Sequence, residues 1–324
     1  MFLFIFKRIL MMIPVLLGVT FVIFFILNLA PGCPAEMLLG DGGSAEAIEQ
    51  LREELGLNDP LLVRYLDFVM GLLRGDMGIS WRNRISVWEQ VMDRLAPTII
   101  LAVAGMIGAI AMGIPLGIIS AKHQYSAADN AGVVLSLIGV SMPNFWVGLL
   151  LALLFALHLG WLPSQGMATG FFPLIRSLVL PAITLGTDSA ALVARMTRSS
   201  MLEVIRQDYI TTARSKGITE AEVTRKHMFK NALIPIITAI GLRFGFLLGG
   251  SMVVETVFSW PGLGRLMVTA ILQRDIPLVL GTATFMAVMF SIVNLVVDII
   301  YAYADPRIKS QYKSAVLFRF GRAK

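Results

Sequence analysis

The stretch 201–235, MLEVIRQDYITTARSKGITEAEVTRKHMFKNALIP, lies between two long apolar segments and decides how the whole chain is organised. It is too long for a turn and too regularly patterned for a linker. Ile205, Tyr209, Thr212 and Ala213 recur at helical spacing, Gly217 supplies a stop, and Thr219 three residues before Glu222 forms a capping box for a second helix. The expected local structure is therefore helix, tight turn, helix. Its small residues Thr211, Thr212, Ala213 and Ser215 suit insertion into a groove on another protein, whereas a loop facing only water has no need of them.

Moving outward, the flanks of this stretch are apolar runs interrupted once each: 177–194 around Asp188 and 232–254 around Arg243. Four further runs, 9–29, 96–121, 131–159 and 277–297, lack Asp, Glu, Lys and Arg altogether. A crossing needs roughly 20 apolar residues to traverse about 30 Å of hydrocarbon, so the sequence predicts six spans. Composition agrees, because 56% apolar residues, 15% charged residues and a mean hydropathy of +0.77 over 324 residues exceed what one soluble core can bury. The expected fold class is all-α integral membrane, six transmembrane helices with a small external helical subdomain. The expected divisions are 1–30 as the first span, 31–95 as an external segment, 96–304 as a five-helix core carrying the loop 201–235, and 305–324 as a basic tail.

Charge orients these spans. Lys7, Arg8, Lys122, the eight bases between Arg195 and Lys230, and the six in the tail lie on one side and make up most of the chain's 27 basic residues. The positive-inside rule then places both termini in the cytoplasm. Residues 31–93 carry 11 acids against five bases and fall outside. Bases beside spans meet lipid headgroups, which accounts for the +6 net charge without nucleic acid as a partner. The lone Cys33 excludes an internal disulfide or a cysteine-built metal site.

In the external segment, AEAIEQLREELGL and LLVRYLDFVMGLL have helical apolar spacing and are separated by the turn signal Asn58-Asp59-Pro60. They form either a docking surface for a partner or a cap over the spans. Gly105, Ala109, Gly113 and Gly117 in span two, and Gly241, Gly245 and Gly249 in span five, make ridges of small residues. Such ridges serve packing within the chain, a seam against a second membrane subunit, or a pore wall. Trp260 with Pro261-Gly262 suits an aromatic belt and a turn. Pro115, Pro143 and Pro181 lie in or at the ends of spans, where freed carbonyls need other donors.

Asp188 and Arg243 each fall 11 positions into their runs, roughly 16 Å deep at 1.5 Å per residue and near the midplane. Lone charges there are costly, so the two are expected to pair or to face a water-filled path. An ion-gradient transporter would use intramembrane carboxylates and internal repeats; only Asp188 lies well inside a span and no clear repeat is present. There is no Gly-x-x-x-x-Gly-Lys-Ser/Thr, His-Glu-x-x-His or Gly-x-Ser-x-Gly run, and the only histidines are His123, His158 and His227. Hence the chain is expected to hold no catalytic, metal or cofactor site, and any ATP is hydrolysed elsewhere.

At 211–217 the chain resembles the membrane subunits of bacterial ATP-binding-cassette importers, in which a cytoplasmic loop carries Glu-Ala-Ala, three residues and Gly. Thr211-Thr212-Ala213 stands at that place with Gly217 in register, although the general pattern puts its later proline near Lys230 and this chain has Pro235. ARSKG followed by KNALIP is similar to the dipeptide, oligopeptide and nickel permease branch. So are KRILMMIPVLLGV, LGLNDPL, GDMGIS, GVSMPNFW, RMTRSSMLEV, ETVFSWPGLGR and DPRI, which together cover nearly the whole chain. The resemblance implies a type I importer permease fold and a B-type subunit. Its implied partners are a second, C-type permease, two ATP-binding subunits that hold ATP and Mg, and an extracytoplasmic solute-binding protein. It further implies that Asp208, Tyr209, Thr211, Thr212, Ala213, Arg214, Ser215, Lys216 and Gly217 form the coupling loop, that ETVFSWPGLGR belongs at the external mouth, and that the cargo is a di- or oligopeptide, glutathione or a nickel chelate.

Overall fold

A computed structural model describes residues 2–29, 32–40 and 44–304; the basic tail and its DPRI motif lie outside the described residues. In chain order the helices are α1 (Phe2–Leu29), α2 (Pro34–Leu39), α3 (Ala45–Glu54), α4 (Leu61–Leu73), α5 (Val87–Lys122), α6 (Ala127–Ser141), α7 (Asn144–Leu151), α8 (Phe171–Ile205), α9 (Asp208–Ser215), α10 (Glu220–Glu222), α11 (Lys230–Gly250), α12 (Met252–Val257), α13 (Leu263–Leu272) and α14 (Ile276–Ala304). π-Helical turns extend α7 through Ala152–His158 and join α10 to α11 through Val223–Phe229.

Among the described residues, five helical segments are long and apolar enough to cross a bilayer: α1, α5, α8, the α10–α11 run and α14. The sixth expected span is not straight, because α6 and α7 meet at 102°. Pro143 explains the break. Its ring disfavours helical geometry at the preceding residue, and here Met142 is extended (φ −79°, ψ 128°) while Pro143 caps α7. A clean apolar run reveals length but not this bend.

The chain divides into two compact units, one from the described residues of Met1–Ile100 with Gly249–Ser291, the other from Leu101–Leu248 with the described residues from Ile292 onward. In the first, α3 and α4 form where the sequence predicts them, and Ser44 caps α3 by accepting from the Ala47 N–H at 3.2 Å. α4 lies alongside α1: the Tyr65 hydroxyl donates to the Leu17 carbonyl at 2.8 Å and lies 3.1 Å from Thr20 Oγ1, and Tyr65 packs edge-on to Phe21. Leu17 is about 18 Å along the helix from the end of α1. Asp275, just ahead of α14, is buried and gathers the 80–82 loop by accepting from Ser80 Oγ and from the Trp81 N–H at 3.1 Å.

In the second unit the small residues of α5 face α8. A Cβ on Gly113 would lie 2.6 Å from the Ala190 carbonyl oxygen, and one on Gly117 would lie 2.5 Å from Thr197 Cβ. The span-two ridge therefore serves packing within the chain at these positions. In span five, Gly241 packs on Val297 of α14, whereas a Cβ on Gly249 would meet nothing within 4 Å.

Candidate functional site

The loop 201–235 folds as a knob on two stems. α8 ends at Ile205, Gln207 turns extended (φ −81°, ψ 143°), and α9 begins at Asp208. One continuous helix was expected to reach Gly217, so the break at Arg206–Gln207 is a departure, and it frees α9 to turn away from the axis of α8. Asp208 in the first turn and Arg214 in the last complement the helix dipole. Gly217 has φ +75°, a left-handed geometry suited to a residue without Cβ, and its N–H closes onto the Arg214 carbonyl at 2.9 Å. Beyond it, Thr219 Oγ1 accepts from the Glu222 N–H at 3.4 Å, which is the N-cap half of the expected capping box, while the Glu222 carboxylate pairs with Lys226 at 2.6 Å; Arg214 Nε pairs with Glu220 Oε1 at 2.6 Å across the turn.

α9 has two faces. Asp208, Tyr209, Thr211, Thr212, Arg214, Ser215 and Lys216 are exposed, as is Gly217 beyond its end, while Ile210 and Ala213 are buried. The anchor stripe is thus Ile210 and Ala213, spaced i and i+3; of the set Ile205, Tyr209, Thr212 and Ala213 read at helical spacing, Ala213 is buried and Ile205 half-buried, while Tyr209 and Thr212 are exposed. Ile210 and Ala213 enter one apolar cluster with Ala121 of α5, Met201 of α8, Val223 and Met228 of the π turn, and Ala232 and Ile236 of α11. An exposed helix is in this way fastened to three membrane-crossing segments by a shared core. A cleft of about 220 Å³ opens beside it, with Lys122, Arg206, Arg214 and Glu220 as its charged walls.

Deeper in the same unit, Arg243 Nη1 donates to Asp188 Oδ2 at 3.0 Å, with the two side chains 21% and 22% exposed. The guanidinium also lies 5.6 Å from the Phe246 ring centre. The pair therefore joins α8 to α11, the two stems of the knob. A second pair was not anticipated: Arg198 binds Asp129 through two hydrogen bonds of 2.6 and 2.7 Å, and Asp129 is 1% exposed. It fixes the start of α6 to α8. The signal in sequence was Ser126 capping Asp129 just ahead of an apolar run, which marks a helix start but not its partner.

In the first unit, the ETVFSWPGLGR segment is an internal joint. Glu255 is fully buried; its carboxyl accepts from Thr98 Oγ1 and Ser251 Oγ, both at 2.8 Å, and from the Arg265 N–H at 3.0 Å. Trp260, expected in an aromatic belt, is instead 0% exposed and donates through Nε1 to the Pro97 carbonyl at 2.9 Å. Burial of the indole N–H demands a partner, and the end of the α5 first turns supplies it.

Long apolar helices carrying an exposed, internally anchored knob are the architecture of a multi-pass helical membrane protein. The chain belongs to the family of binding-protein-dependent transport system inner membrane components, whose model matches residues 113–310, with the N-terminal model of the same family matching 1–102. It is 44% identical to the dipeptide transport system permease protein DppB of Alkalihalophilus pseudofirmus, with 94% of this chain and 98% of that protein covered. Identity is 40% to DppB of Escherichia coli K12 over 94% and 98%, and 41% to the glutathione transport system permease protein GsiC of Salmonella typhimurium over 94% and 97%. Among solved structures, the MetNI methionine ABC transporter in inward-facing conformations matches with a TM-score of 0.57 at 17% identity over 67% of this chain and 97% of that one. That likeness establishes the fold, and the family makes the chain a multi-pass permease subunit of an ABC importer.

Proposed function

We propose that this subunit forms, with a second C-type permease, the inner-membrane passage for di- and oligopeptides delivered by an extracytoplasmic binding protein. Both termini lie in the cytoplasm, the chain holds no cofactor and no ATPase site, and two partner subunits bind ATP and Mg. The observation that carries the reading is the knob: α9 presents Tyr209, Thr211, Thr212 and Arg214 outward while Ile210 and Ala213 bind it to α5, α8 and α11. Closure of an ATPase pair around such a helix moves those segments as one body. Asp188 and Arg243, paired across α8 and α11 and partly exposed, offer opposite charges to a zwitterionic cargo. The relatives named for dipeptide and glutathione transport support a peptide-like cargo.

The test is uptake by vesicles holding the complete assembly. Labelled dipeptide should accumulate only with ATP inside the equivalent of the cytoplasm and the cognate binding protein on the other side. Accumulation of nickel chelate with none of dipeptide, or of glutathione alone, would replace the cargo; accumulation driven by an ion gradient without ATP would replace the mechanism.

A further inference from the structure

Where α1 and α14 reach the same end of the first unit, a cavity of about 630 Å³ is lined by Leu27, Ile276 and three arginines, Arg52, Arg64 and Arg274. No carboxyl group lines it among the described residues. Arg52 pairs through Nη1 with Glu49 at 3.5 Å, but its Nε is buried and has no hydrogen-bond acceptor among the described residues. Arg64 has its guanidinium 5.8 Å from the Phe24 ring centre and no acceptor among the described residues. Burial lowers its pKa from the ordinary value, and the opposing influence of Asp59 is the smaller. Arg274 closes over the backbone at Gly32, where a Cβ would lie 2.6 Å from its Nη1.

Arg52 and Arg64 thus keep guanidinium donors without an acceptor among the described residues, and the forked geometry of those donors matches a phosphate. The surroundings say which phosphate. Leu27 is two residues from the end of α1 and Ile276 opens α14, so the cavity lies at the level where the chain leaves hydrocarbon, the level of lipid headgroups. Beside it α4, lying along α1, exposes Leu62, Leu66, Met70 and Leu73 by 50% or more. Such a strip has no role in water and suits acyl chains.

We propose that this cavity binds the phosphate of an anionic phospholipid, with Arg52 and Arg64 as its main donors and the exposed strip of α4 against the acyl chains. The lipid anchors α4 to α1 and completes the packing of the first unit. The site is independent of the cargo.

Native mass spectrometry of the full-length chain tests it, with phosphatidylglycerol, phosphatidylcholine and inorganic phosphate as probes. Phosphatidylglycerol should be retained about tenfold more tightly than phosphatidylcholine, the size expected for a charge-assisted contact. The Arg52→Gln/Arg64→Gln variant should lose that preference, Arg64→Lys should keep part of it, and Arg82→Gln, at an exposed site outside the cavity, should keep all of it. A melting temperature in lipid-free detergent that matches the parent shows that the double variant is folded; if it is not, Arg64→Gln alone decides. Equal retention of the two lipids, preference untouched by the arginine changes, or binding of inorganic phosphate without lipid would each overturn the proposal.

Discussion

Glu255 has no exposed surface, yet its carboxyl is the hub of a joint built from residues far apart in sequence. Truncation to Ala would leave the Ser251 hydroxyl and the Arg265 N–H without acceptors, at roughly 1–3 kcal/mol for each buried group. Gly262 is the matching half, since a Cβ there would lie 2.3 Å from Glu255 Oε1. Gly262→Ala should therefore lower the melting temperature of the purified chain clearly, whereas Gly249→Ala, with open space around it, should be neutral or slightly stabilising. Equal effects at the two glycines would contradict the joint. For Asp188 and Arg243, removing one member of a buried pair costs roughly 3–5 kcal/mol, and partial exposure moves the expectation to the low end. Asp188→Asn and Arg243→Gln should each impair uptake, and the double variant should be milder than their sum; strict additivity would mean separate roles.

At the scale of elements, α9 depends on its buried side. Ile210→Ala removes a fully buried side chain from the cluster shared with Met201, Met228 and Ile236, at roughly 2–5 kcal/mol. The variant should still insert, but protease cleavage within 206–217 should become faster while cleavage elsewhere is unchanged; uniform acceleration would mean that the core, not the knob, has been loosened. Much of this element was legible in sequence. The Thr219 N-cap and the Gly217 stop were legible because both are local rules of backbone geometry, whereas the Glu222 side chain turns to Lys226 instead of closing the box. The break at Arg206–Gln207 was not legible, because no Gly or Pro marks it and apolar spacing continues across it. The α6–α7 bend was half legible: Pro143 was evident, but a proline inside an apolar run can kink a helix slightly or break it, and surrounding packing decides.

For the whole molecule, hydropathy alone gave the number and order of apolar segments, since crossing a bilayer requires length and internally satisfied backbone groups. Partnerships between segments needed coordinates. The Gly113 and Gly117 ridge was equally suited to another subunit until α8 was seen against it, and nothing in the sequence linked Asp129 to Arg198 across 69 positions. Within the second unit these contacts connect α5, α6, α8 and α11 around the base of α9, so displacement of the knob cannot stay local. The claim that outside force enters there is tested most directly by Gly217→Pro. Proline holds φ near −65° and lacks the N–H that meets Arg214, so it cannot keep the +75° turn; Gly217→Asn, which tolerates left-handed geometry, is the control. In vesicles holding the full assembly, the account predicts that Gly217→Pro inserts and permits ATP hydrolysis but abolishes its link to uptake, while Gly217→Asn retains most of it. Uptake per ATP unchanged in Gly217→Pro would contradict the account.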